Sequence, residues 1–219
     1  MKDFHEFILI RHGETVHNAE GRFQGSKDSP LSEKGRADAA RLGEFFRERL
    51  GPVDYWFVSP YGRARDTSRL IRDEMQGVAL PEEEVHDELR EINCGEFEGR
   101  LHAEVDQQIL GRIRGEADYS YPGAAGESKV DVSRRARSFL DEFRARLKQE
   151  RRTRSFRTVV VAHGNLNQCL GGVLLDVEPE LSARSVIVNT GLCRFFALDP
   201  FGPFRLRSWG ETPHLDEWP

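Results

Sequence analysis

Two short apolar runs in this chain end alike. "FILIRHG" (7–13) and "VVVAHG" (159–164) each pass from buried-strand composition straight into a histidine and a glycine. A brief apolar run bounded by turn residues has the length of a buried strand. Residues 6–10 and the segment from Arg157 are therefore predicted as two strands, each stopping on a polar group that can face a ligand.

Between these runs the hydrophobic period switches back and forth. From Ser32, a predicted N-cap, Ala39, Leu42, Phe46 and Leu50 recur at helical spacing. "VDYWFVS" (53–59) is a second strand. Pro60 then fits the first turn of a helix capped by Ser59 and carrying Arg63, Ala64, Thr67 and Leu70. Residues 100–127 are the least regular part, with a short helix predicted over 101–109 and a glycine-rich loop after it. Over 128–149, Val132, Ala136, Phe139, Leu140, Phe143 and Leu147 mark a long amphipathic helix. "NLNQCLGGVLL" is predicted as the helix after the second histidine strand, and "SVIVNTGLCRFFALD" with "PFRLRSW" as a late antiparallel pair.

Strands alternating with helices imply a layered α/β domain with helices on both sheet faces. In such sheets ligands bind outside the carboxyl ends of the strands. His12 and His163 are thus predicted to share one crevice.

With 219 residues, the chain suits one domain spanning 1–219. A net charge of −5 excludes wholesale attraction to nucleic acid or anionic membrane, so any anion must be met by a local basic pocket. No apolar run reaches the roughly 18 residues of a membrane span, and the N-terminus lacks the pattern of a signal peptide. Cys94, Cys169 and Cys193 are odd in number and far apart, which argues against a disulfide framework and for a reducing cytoplasm.

Arg11, His12, Arg63 and His163 all fall at strand ends or helix starts. Guanidinium groups bind phosphoryl oxygens as a planar fork, and an imidazole nitrogen can attack phosphorus and hold the group covalently. Gly13 would let the backbone turn sharply beside a ligand. Arg11, Arg63 and a protonated His163 would disfavour positive charge on His12 and keep its lone pair available. A leaving alkoxide also needs a proton. "HDELREINCGEFEGR" offers Asp87, Glu88, Glu91, Glu96 and Glu98, and spacing alone does not choose among them.

"LIRHGETVHNAEGRFQG", "VSPYGRARDTS", "LREINCGEFEG" and "VVVAHGN" occur in an order that resembles the histidine phosphatase superfamily, the phosphoglycerate-mutase-like proteins, over about residues 6–200. The resemblance implies a three-layer α/β/α sandwich with a mostly parallel central sheet, and neither metal nor other cofactor. It implies His12 as the phosphorylated nucleophile, Arg11, Arg63 and His163 as the phosphate pocket, and Glu91 as the proton donor. Asn18, Gln24, Gly25 and Asn165 match substrate-binding positions, and residues 100–127 match the region that sets specificity. That region is short here, with Arg112 and Arg114 as imperfect substitutes for the mutases' carboxylate-clamping arginines, which favours a phosphatase. "HGN" at 163–165 looks like the mutases, while "ETPHL" near the C-terminus resembles the tail of several phosphatases.

The expected partner is a small-molecule phosphate ester, whose identity and the chain's oligomeric state the sequence leaves open. The expected activity is phosphomonoester hydrolysis. A mutase returning the phosphoryl group to another hydroxyl is the alternative, followed by a phosphate-binding module without catalysis. His5, His17, His86, His102 and His214 lack metal-ligand spacing and are predicted as surface or supporting residues. The cysteines are expected to be small buried hydrophobes. Arg134, Arg135 and "KQERRTR" are expected on a solvated helix face and its exit.

Overall fold

The computed structural model describes residues 4–113, 120–122, 125–152, 154–177 and 185–215. Six strands form one sheet: β1 (His5–Arg11), β2 (Tyr55–Val58), β3 (Glu83–Val85), β4 (Arg157–Ala162), β5 (Leu192–Ala197) and β6 (Arg205–Glu211). Their order is β3-β2-β4-β1-β5-β6. Pairs β3–β2, β2–β4 and β4–β1 are parallel, while β1–β5 and β5–β6 are antiparallel. Among the described residues the helices are α1 (Val16–Ala19), α2 (Glu33–Arg49), α3 (Gly62–Glu74), α4 (Gln107–Ile113), α5 (Lys129–Gln149) and α6 (Gly164–Leu175).

The period-2 alternation of β1 divides the core. Ile8 and Ile10 join Leu42, Phe46, Trp56 and Ile71 under α2 and α3. Phe7 and Leu9 join Phe57, Phe139, Phe143, Leu166 and Leu170 under α5 and α6. Each large apolar side chain so buried contributes about 1.5–3 kcal/mol, and with both sheet faces covered β1 and β4 read as unbroken apolar runs.

Several local expectations change. Residues 101–109 hold a 3-10 turn (His102–Glu104) and the start of α4 rather than one helix. Strand β3 is too short and exposed to leave an apolar signal. β5 begins only at Leu192, after a turn in which Thr190 adopts φ +56°. Gly13 has no positive φ; a Cβ there would stand 2.6 Å from the Gly35 carbonyl oxygen, so its small size admits the backbone of α2. Among the described residues no helix is long and apolar enough to cross a membrane.

Candidate active site

The carboxyl ends of β1, β2 and β4 meet at one edge of the sheet and deliver His12, Ser59 and His163. His12 is 3% exposed, and its backbone N–H donates to the Ala162 carbonyl at 2.9 Å. Its Nδ1 lies 2.8 Å from the Gly13 carbonyl oxygen. A carbonyl only accepts, so Nδ1 carries the proton and Nε2 keeps the lone pair. The carbonyl of His12 is held in turn by Asn189 Nδ2 at 3.0 Å and the Thr190 N–H.

His163 stands beside it, ring centroids 5.2 Å apart. Arg63 Nε donates to His163 Nδ1 at 3.2 Å, which makes Nε2–H the donor to Ser59 Oγ at 2.7 Å. His163 is therefore neutral, not the protonated neighbour expected. Burial drives it well below 6.5, and Arg63 adds to that. Burial likewise holds His12 well below 6.5, followed by the charges of Arg63 and Arg11. Ser59, expected to cap a helix, instead fixes this tautomer.

Arg63 is 1% exposed on the first turn of α3. Its Nη2 donates to the Gly25 carbonyl at 2.7 Å, and its Nη1 to the Lys27 carbonyl and Asp28 Oδ1 at 2.9 and 3.3 Å. With Nε on His163, only one N–H of Nη2 is left for a ligand. Gly25 has φ +55°, and a Cβ there would fall 2.2 Å from Glu98 Oε1, so no other residue places this carbonyl under Arg63 as easily. Pro60 lies before the helix, and the N-cap residue Tyr61 makes no side-chain cap. Asp28 takes over from another loop, accepting from the Gly62 and Arg63 N–H groups at 2.5 and 3.3 Å.

α6 repeats the device. His163 is its N-cap residue and caps nothing with its ring. Glu91 reaches across, Oε1 accepting from the Leu166 and Ile92 N–H groups at 3.1 and 2.9 Å, Oε2 from the Asn165 N–H at 3.2 Å and Asn165 Nδ2 at 3.5 Å. Oε1 takes the two shorter backbone bonds and Oε2 the two longer Asn165 contacts, so Oε2 is the less tightly held oxygen.

A cavity of about 190 Å³ is lined by Arg11, His12, Asn18, Gln24, Gly25, Arg63, Glu91 and Asn165, together with Arg22, Phe23, Ile92, Cys94 and His102. A larger, shallower groove of about 620 Å³ between α5 and α6 holds none of these residues. Among the described residues, two buried donors on the cavity wall have no protein partner: Arg11 Nε and Gln24 Nε2. Gln24 Oε1 accepts from Thr15 Oγ1 at 3.3 Å, while Arg11 Nη1 is anchored on the Ile187 carbonyl at 2.7 Å. Asn18 Oδ1 takes the Thr15 N–H and Asn189 Nδ2, leaving its NH₂ group. Buried polar groups are nearly always paired, so unpaired donors around His12 mark an anion site.

Every named site residue except His163 lines the cavity, and His163 packs against His12 behind it. Asp87, Glu88 and Glu96 do not line it, and Glu98 instead ties Ser26 to the Cys94 N–H. The side chains of Arg112 and Arg114 lie outside the described residues. Burial and the Glu91 and Glu98 charges push the Cys94 thiol up to about 12, which denies it thiolate reactivity. His102 is on the cavity wall, 4.3 Å from the Phe23 ring. His5 and His214 are buried rather than on the surface, His214 Nε2 meeting Thr190 Oγ1 at 2.9 Å. Arg135 also leaves the solvated face assigned to it, as described below.

The family model for the histidine phosphatase superfamily (branch 1) matches residues 7–211. The chain belongs to that superfamily. It is 31% identical to a probable phosphoglycerate mutase GpmB of Yersinia enterocolitica, covering 96% of this chain and 95% of that one. It is 32% identical to a glucosyl-3-phosphoglycerate phosphatase of Mycobacterium tuberculosis over 78% of this chain and 75% of that one. Among solved structures, a mycobacterial glucosyl-3-phosphoglycerate phosphatase in complex with VO3 superposes with a TM-score of 0.77 at 28% identity, covering 94% and 98% of the two chains. Bacillus stearothermophilus YhfR gives 0.74 at 29%, covering 95% and 98%. The protein is a histidine-phosphatase-type enzyme with that family's α/β fold.

Proposed function

We propose that this enzyme is a metal-independent phosphomonoesterase that acts on a small phosphorylated metabolite through a phosphohistidine on His12. The observation that carries the proposal is the neutral His12 with Nε2 free, set beside the unpaired Arg11 and Gln24 donors in one small cavity. The phosphoryl oxygens meet Arg11, the remaining N–H of Arg63, Asn18 and Gln24. Nε2 forms a bond to phosphorus as the ester P–O bond breaks. The electron pair leaves with the alcohol oxygen, which takes the proton from Glu91. Water then attacks phosphorus as the P–N bond breaks; the electron pair returns to Nε2 and the water's proton goes to Glu91, releasing phosphate and neutral His12. Arginines supply the charge stabilisation that a metal supplies in other phosphatases.

A mutase-type transfer is the second reading, favoured by the near full-length likeness to the Yersinia protein and by Asn165 after His163-Gly164. Purified enzyme is assayed for phosphate release from a panel of phosphate esters and, in parallel, for interconversion of phosphoglycerates. Hydrolysis that survives EDTA and dialysis, with no interconversion, is expected. Interconversion outpacing phosphate release overturns hydrolysis in favour of the mutase.

A further inference from the structure

We propose that Arg135, on α5, is a positioning residue for the proton donor: it holds the loop that carries Glu91 and so sets where the acid stands. The loop between β3 and residue 95 has only a 3-10 turn (Asp87–Leu89) before Glu91, so its carbonyls have no ladder partners of their own. Arg135 supplies them. Its Nη1 donates to the carbonyls of Glu88 and Arg90 at 2.7 and 3.1 Å, and its Nη2 reaches the Glu91 carbonyl at 3.4 Å.

The guanidinium is itself clamped. Nε and Nη2 fork onto the Glu127 carboxylate at 2.9 and 3.0 Å. Glu127 grips the same loop from the other end: Oε2 accepts the Asn93 N–H at 3.0 Å, and its own N–H donates to the Asn93 carbonyl at 2.8 Å. Gly126 allows this approach, since a Cβ would come within 2.5 Å of the Asn93 oxygen. An arginine on a solvated helix face makes one screened pair; Arg134 does so with Asp131 at 72% exposure. Arg135 is only 14% exposed and binds a loop more than forty residues away in sequence. A planar fork with several fixed donors fits that task, and lysine does not.

The inference rests on the proposed role of Glu91 as general acid, and leaving-group dependence separates the two. An alkyl alkoxide needs the proton in the transition state, whereas nitrophenolate departs without it. kcat/KM is measured with glycerol phosphate and with p-nitrophenyl phosphate for wild type, Glu91→Gln, Arg135→Gln, Arg135→Lys, Glu127→Gln and Arg134→Gln. Arg135→Gln is expected to lower the alkyl-ester value by about tenfold or more, short of the roughly 10²–10⁴-fold loss in Glu91→Gln, and to affect the nitrophenyl ester far less. Arg135→Lys keeps the charge but loses the fork, and falls in the same direction. Glu127→Gln does likewise and carries the test if Arg135→Gln fails to fold. Arg134→Gln leaves both values unchanged. Equal losses on the two esters, or none, with Glu91→Gln still selective, overturn the role of Arg135 alone. Absence of selectivity in Glu91→Gln itself overturns the acid and Arg135's part with it.

Discussion

Arg63 behaves less as a free phosphate fork than as a strut joining Gly25, Lys27, Asp28 and His163. A lysine there cannot span these acceptors, and the buried Gly25 carbonyl and His163 Nδ1 stand to lose their donor, at about 1–3 kcal/mol each. Arg63→Lys is expected to lower kcat/KM at least about tenfold and, in the same preparation, to lower the thermal midpoint. A loss of activity with an unchanged midpoint would return Arg63 to a purely ligand-binding role. Arg11, His12, Arg63 and His163 were readable from the residues because phosphoryl chemistry accepts few side chains, and Glu91 was singled out only by the family resemblance; the structure brings all five to one place. Their partners were not. Nothing in "SP" says that Ser59 will meet a histidine 104 positions away, and nothing in "SRRA" separates a buried Arg135 from an exposed Arg134.

The same divide holds for whole elements. One local cap was visible: Ser32, predicted as an N-cap, accepts from the Gly35 N–H, and Ser128, where the second long helix was predicted to begin, accepts from the Asp131 N–H in the same way. The caps of α3 and α6 are remote. Tyr61 and His163 occupy the N-cap positions without a side-chain cap, so the exposed N–H groups are met by Asp28 and Glu91 from other loops. A carboxylate also suits the positive end of a helix. Asp28→Ala should therefore cost about 0.5–2 kcal/mol, the usual loss for a cap. It should also raise KM for phosphate esters, because Arg63 loses a tether. Asp28→Asn keeps an acceptor oxygen and is expected to retain most of the stability. Denaturant midpoints of the two variants check this; equal loss in both would show that charge, not capping, is the contribution.

At the scale of the molecule, the alternating apolar runs foretold a layered sheet with helices on both faces, and the order β3-β2-β4-β1-β5-β6 puts β1 and β4 at its centre, where the two histidine loops meet. Burying those histidines sets the response to acid. His12 and His163 lie well below 6.5, and His214 is lowered to about 4 by burial. Below pH 6.5 the unfolded chain binds protons that the folded chain does not, so stability falls as pH falls toward the folded values. The slope is about 1.4 kcal/mol per pH unit for each such histidine. Thermal midpoints should drop between pH 7 and 5.5, less so in His214→Gln; a flat profile would mean that these rings are not held neutral. The central claim, covalent catalysis on His12, is tested most directly by trapping. Enzyme mixed rapidly with labelled phosphate ester and quenched without acid should carry acid-labile, alkali-stable label that maps to His12 and is absent in His12→Ala. Label on serine or cysteine, or label undiminished in His12→Ala, would contradict it.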